Sequence, residues 1–106
     1  MGKRKRTVSV STTGKRRWHY VYLARARDGS LYCGYALDPH ARVSTHNSGR
    51  GARSLRGKLP VQLGYVRRFA DRGDALRYEI ALKRASHAAK SGLCERWLRR
   101  RRQTKR

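Results

Sequence analysis

Residues 18–36 read Trp-His-Tyr-Val-Tyr-Leu-Ala-Arg-Ala-Arg-Asp-Gly-Ser-Leu-Tyr-Cys-Gly-Tyr-Ala. Two runs rich in aromatic, aliphatic and β-branched residues, Trp18 to Arg25 and Ser30 to Ala36, flank Arg27-Asp28-Gly29, which is a β-hairpin pattern. Loop length decides which side chains meet. A two-residue turn at Asp28-Gly29 sets Tyr22 opposite Tyr35 and sends Tyr32 to the other face. A three-residue loop, with Gly29 in the left-handed position, sets Tyr22 opposite Gly34. Tyr20, Tyr22, Tyr32 and Gly34 then share one face, and Val21, Leu23, Leu31 and Cys33 share the other. The second register sorts apolar from polar side chains, and register follows burial. It predicts a hydrophobic face for helices and a tyrosine-lined face with a gap at Gly34, where a ligand backbone can approach.

Working outward, Asp38-Pro39 supplies an N-cap and a first-turn proline for a short helix reaching about Asn47. Residues 48–59 form a cationic loop, with Gly49, Gly51 and Gly57 among Arg50, Arg53, Arg56 and Lys58. Val61 to Phe69 reads as a third strand. Asp71 caps a second helix in which Leu76, Ile80 and Lys83 or Arg84 recur at helical spacing, and Ser86 caps a further helix reaching Leu93 and Trp97. The order is ββαβαα. The predicted fold class is α/β, an α+β sandwich in which a small three-stranded antiparallel sheet is flanked by helices.

The 106 residues carry 28 Lys plus Arg against 6 Asp plus Glu, a formal charge of +22. That length holds one domain. Self-repulsion at such a charge calls for a polyanion, and nucleic acid is the partner that fits. Residues 1–17 hold seven cations and no acid, and residues 96–106 hold seven more. The expected organisation is a disordered basic arm over 1–17, a domain over 18–95 and a basic tail over 96–106. No apolar run is long enough to cross a membrane, and no hydrophobic segment follows the basic amino terminus, so neither a membrane partner nor a secretory signal is expected. Cys33 and Cys94 lie far apart and suit a reducing cytosol, and the histidines show no zinc-ligand spacing.

Tyr20-Val21-Tyr22 followed by Tyr32-Cys33-Gly34 resembles the paired signature of the GIY-YIG nucleases. Arg42 on the next helix, His46-Asn47 at its end and Glu79 on the helix after the third strand follow in the same order. The stretch from His46 through Gly57 is similar to the small stand-alone bacterial members, the YhbQ-like proteins. The resemblance covers roughly residues 18–92. It implies the GIY-YIG endonuclease fold and metal-dependent hydrolysis of phosphodiester bonds in nucleic acid, with DNA of the repair or recombination type as substrate. It also implies a bacterial cytosolic protein associated with the nucleoid. A third reading is a protein-interaction subunit that delivers the domain to a larger repair complex. Two positions depart from the pattern. Tyr35 stands where the excision-repair relatives carry lysine after the glycine, and Lys90 and Ser91 occupy a region where many members have asparagine.

The residues make chemical sense for that reaction. A single carboxylate, Glu79, suits Mg²⁺ (or Mn²⁺), a cation that keeps much of its hydration shell. Arg42 can hold the scissile phosphate through its planar fork. Tyr22 or Tyr32 would activate the water, provided that a cation depresses a pKa ordinarily near 10. His46 lies one helical turn after Arg42, placed to assist. Tyr20, Gly34, Asn47, Arg50, Arg53, Arg56, Lys58 and Lys83 complete the expected nucleic-acid surface. Each residue alone has a plainer use: strand tyrosines pack across strands, Glu79 with Lys83 is a common helical pair, and Asn47 can end a helix. The alternative is a non-catalytic DNA- or RNA-binding protein, including a ribosome-associated one. Glu79 discriminates, because a carboxylate beside bound phosphate only repels it unless a cation intervenes.

Overall fold

The computed structural model describes residues 17–104. Within them run β1 (His19–Arg25), β2 (Leu31–Ala36), α1 (Pro39–Asn47), a 3₁₀ turn (Arg53–Leu55), β3 (Gln62–Phe69), α2 (Arg72–Lys83) and α3 (His87–Thr104). The expected ββαβαα order is found. The basic arm expected over 1–17 lies outside the described residues except for Arg17.

The sheet is antiparallel with β1 in the centre, in the order β2-β1-β3. The hairpin takes the three-residue loop: Gly29 has φ +90°, Ala26 N–H donates to Ser30 O, and Tyr22 pairs with Gly34. Glycine reaches that φ without the Cβ clash that burdens other residues. The three predicted caps also form. Asp38, Asp71 and Ser86 accept hydrogen bonds from the backbone N–H groups of Ala41, Asp74 and Ala89, each 3.0 Å long. Each satisfies an orphan donor in a first turn.

Both faces of β1 are covered, and Val21 through Ala24 are all buried. On one face Val21, Leu23 and Cys33 pack with Ala75 and Leu82 of α2 and Cys94 of α3. On the other, Tyr22, Ala24 and Ala36 pack with Leu55 and Val61, joined by Val43 of α1. The tyrosine face is therefore not an open surface but a second, smaller core. Along β3 the register shifts between Leu23 and Ala24, which pair with Tyr65 and Leu63 and leave Gly64 as the extra residue. A Cβ on Gly64 would stand 3.0 Å from Cys94 Sγ, so the bulge glycine lets α3 come close to the sheet.

Two expectations need correcting. The buried stripe of α2 is Ala75, Tyr78 and Leu82, whereas Ile80 is 53% exposed. Leu76 and Ile80 keep helical spacing, but the short Ala75 and the aromatic Tyr78 fit against the sheet. Glu79, one turn from Ala75, therefore stands beside the packed face. The boundary expected at 95/96 falls inside α3, which continues without a break to Thr104. Arginine is a good helix former, and Arg101 lies over the Trp97 ring at 4.7 Å, so the charge run extends the helix.

The corrected helix face predicts that Leu82→Ala lowers unfolding free energy by about 2–5 kcal/mol. Ile80→Ala should change it by no more than about 0.5 kcal/mol. Urea denaturation of the two variants checks this; equal losses would return the stripe to Leu76 and Ile80.

Candidate active site

Register sets the first contact. Tyr22 on β1 faces Gly34 on β2, and its ring lies directly over that glycine, so a Cβ there would come within 2.5 Å of Tyr22 Oη. The gap expected to admit a ligand backbone is thus filled by the protein's own tyrosine. Gly34 leaves the room that ring requires. Tyr32, two residues earlier on β2, projects from the same face with its ring centroid 6.3 Å from that of Tyr22.

His46 closes the group from the last turn of α1, where it is 1% exposed. Its Nε2 lies 2.9 Å from Tyr22 Oη, and its ring meets Tyr32 edge-on at 5.2 Å. The other ring nitrogen, Nδ1, accepts the backbone N–H of Ala52 at 3.1 Å. Burial, reinforced by the Arg42 charge, holds the His46 pKa below its ordinary value of 6.5, so the ring is neutral near pH 7. A neutral imidazole whose Nδ1 accepts must carry its proton on Nε2. His46 therefore donates to Tyr22 Oη and cannot receive a proton from it.

Tyr22 is 1% exposed, and burial, aided by neighbouring Tyr32, pushes its pKa up to about 12. The Arg42 guanidinium opposes that rise without reversing it. Arg42 sits one helical turn before His46 and is exposed. The structure thus brings Tyr22, Tyr32, Arg42 and His46 together, with Tyr22 enclosed and Tyr32 half-buried at the rim.

The loop beyond α1 is tied down at both ends. Asn47 Nδ2 donates to Val61 O at 3.0 Å, and Val61 N–H donates to Asn47 Oδ1 at 2.7 Å. That amide clamps the loop's return, a different role from the nucleic-acid contact expected of it. Leu55 anchors the middle of the loop in the second core. Arg50, Arg53 and Arg56 are exposed, and Lys58 lies 3.9 Å from Asp28 on the hairpin turn. Tyr20 shares the tyrosine face but lines a separate cavity farther along it.

Glu79 stands apart. Its side chain is 16% exposed, with Oε2 3.6 Å from Lys83 Nζ, and its carbonyl oxygen lies 3.9 Å from Cys33 Sγ. Cys33 follows Tyr32 on the edge strand β2 but faces the opposite core, so Glu79 lies beside that edge and no hydrogen bond joins it to the tyrosine group among the described residues. Nor do those residues contain a cluster of three His, Cys, Asp or Glu side chains able to hold a metal. A lone carboxylate fits a hard, hydrated divalent cation and not one that demands several protein donors.

The contact of Gly51 and Ala52 with His46 goes beyond what residue types foretell. A Cβ on Gly51 would overlap the His46 ring. The doubled glycine around Arg50 is a usable sign of close backbone approach, whereas the Ala52 N–H, a backbone donor, leaves no mark in residue type.

The tautomer can be tested directly. Long-range ¹H–¹⁵N spectra should show His46 protonated on Nε2 above pH 7. Because the folded pKa is depressed, the unfolded chain takes up a proton that the folded chain resists once pH falls below about 6.5. This stability is complete above that pH and lost as pH falls through the folded value, and His46→Gln should remove that part of the slope in thermal melts. Tyr22→Phe orphans the Nε2–H and should cost about 1–3 kcal/mol.

The GIY-YIG catalytic domain family matches residues 18–91. The UPF0213 protein of Pseudomonas aeruginosa strain PAO1 is 49% identical over 87 residues, covering 82% of each chain. That of Aeromonas hydrophila is 41% identical over 92 residues, covering 84% of this chain and 67% of the other. The solution NMR structure of the UPF0213 protein from Bacillus halodurans has a TM-score of 0.48 and 37% identity, covering 74% of this chain and 83% of that one.

Proposed function

The chain belongs to the GIY-YIG family, and from that premise we propose that it is a metal-dependent endonuclease hydrolysing phosphodiester bonds in DNA. The observation that carries this reading is the proton arrangement around Tyr22. A buried neutral histidine, its Nδ1 capped by a backbone N–H, presents a fixed donor to a phenol beside an exposed arginine. A purely structural core does not need a tyrosine, a histidine and a guanidinium in one place.

The two tyrosines divide the work by burial. Burial pushes the Tyr22 pKa up to about 12, so near neutrality it stays protonated, and its enclosed hydroxyl holds the site's shape through His46 and does not serve as the base. Tyr32, at the rim, is the one that can meet a water; once its own phenolic proton has passed to solvent, it takes the water's proton as the water oxygen bonds to phosphorus. The bond to the leaving oxygen breaks, and that oxygen acquires a proton from solvent. Arg42 holds the phosphate through its in-plane N–H groups. Glu79 would hold the divalent cation, Mg²⁺ or Mn²⁺, which supplies charge neutralisation at phosphorus and a lowered pKa for bound water. Arg50, Arg53, Arg56 and Lys58 extend the positive surface for the flanking backbone, and the same reading puts the protein with DNA in the bacterial cytosol.

One observation favours a second reading, a non-catalytic nucleic-acid binder: Glu79 already has a cationic partner in Lys83 at 3.6 Å. The two are separated by incubating labelled DNA and RNA structures with Mg²⁺, Mn²⁺ or EDTA. Wild type should cleave DNA only with metal, Glu79→Gln should abolish cleavage while leaving metal-free binding equal or tighter, and Tyr32→Phe should slow cleavage by roughly 10²–10⁴. Reproducible binding without cleavage on any substrate would give the protein to the second reading.

A further inference from the structure

At the end of the tyrosine face away from His46 opens a cavity of about 640 Å³, whose walls include Tyr20, Leu37, His40, Arg68, Trp97 and Arg101. That volume lies within the roughly 300–1,000 Å³ usual for small-ligand sites. Tyr20 precedes Tyr22 by two residues on β1, so both project the same way, and the β3 partner of Tyr20 is Arg68. Trp97 and Arg101 stand one helical turn apart on α3.

The cations here are seated on rings. Arg68 lies over Trp18 at 4.2 Å and Arg101 over Trp97 at 4.7 Å. Stacking fixes the plane of the Arg68 guanidinium while leaving its charge and in-plane N–H geometry for an anion. The one acid in the wall, Asp38, has a carboxylate oxygen on the Ala41 N–H of its own helix.

Such walls suit neither a hydrocarbon nor a metal ion. Aromatic faces beside guanidinium groups hold a nucleobase by stacking and its phosphates by charge. A base inside a duplex has no free face to offer, so the ligand must be unpaired. We infer that this cavity binds an unpaired nucleotide base, and that the chain thereby engages single-stranded nucleic acid or the single-stranded part of a branched one. Trp97 and Arg101 lie beyond residue 91, where the family match ends, so this wall belongs to the extension of α3. The inference rests on the proposed function only for its ligand class, nucleic acid.

The test is binding by the full chain in EDTA to three probes: a fluorescent thymidine oligonucleotide, an abasic strand of equal length and phosphate number, and a duplex. The abasic strand should bind about tenfold more weakly than the thymidine strand, because it keeps the charge and loses the stacking. Tyr20→Ala and Trp97→Ala should each bring the thymidine and abasic strands to equal affinity, whatever they do to the shared electrostatic binding, and Trp97→Phe should retain most of the difference. In a Trp18→Phe background, which leaves Trp97 as the single tryptophan, the thymidine strand should quench fluorescence and the abasic strand should not. This arm stands even if Trp97→Ala unfolds α3. Equal affinity for both single strands without quenching would overturn the base site while leaving nucleic-acid binding intact. Failure to bind any of the three probes would overturn the proposed function itself.

Discussion

The rest of this protein depends on the seating of the Tyr22 ring over Gly34. That contact exists because a three-residue loop brings the two into register, and because glycine leaves the room a ring requires. Once the ring is there, its hydroxyl is buried and must be satisfied. His46 satisfies it and is fixed in turn by Ala52, with Gly51 allowing the loop backbone to pass against the imidazole. Asn47 then locks the loop's return onto Val61. A chain of close approaches, each needing a small residue or a backbone donor, runs from hairpin turn to cationic loop.

Charge is managed by geometry more than by pairing. Asp38 and Asp71 serve as helix caps, Asp28 holds the hairpin turn through Ser30, and Asp74 pairs with Arg77 in its own helix. These acids act locally, so they leave the field of a +22 chain largely standing. Aromatic rings then hold several of the cations in place. Arg67 lies over Phe69 and Tyr78, Arg68 over Trp18, and Arg101 over Trp97. A ring orients a guanidinium without itself neutralising it. The surface therefore stays attractive to polyanions while its cations keep defined positions.

What could be read from the sequence was whatever local geometry encodes. The loop glycine and the alternation around it led to the hairpin register, and Asp38, Asp71 and Ser86 marked the helix starts because a short polar side chain ahead of an apolar pattern is itself the cap. Tertiary fit left weaker traces. Ile80 is more hydrophobic than Ala75, yet the sheet accepts alanine because the helix comes close there. The run Arg99 to Arg102 looked like a tail because its charges repel, but the ring of Trp97 beneath Arg101 and the packing of Cys94 on Gly64 carry the helix through it. At the candidate site, residue types brought Tyr22, Tyr32, Arg42 and His46 together. Their protonation was not readable, because it is decided by a backbone N–H.

That protonation argues for a division between a fixed half and a working half of the site. Tyr22 is screened from water and raised in pKa, and an arriving phosphate adds negative charge that raises it further. Its proton therefore becomes harder to remove at the moment of binding, which is why the proposed mechanism does not use it as the base. Tyr32 meets solvent and shares the edge strand with Cys33, on whose far side Glu79 stands. In the proposed reaction, the burial gradient across two tyrosines on one face leaves the proton-accepting role to the one that solvent can reach.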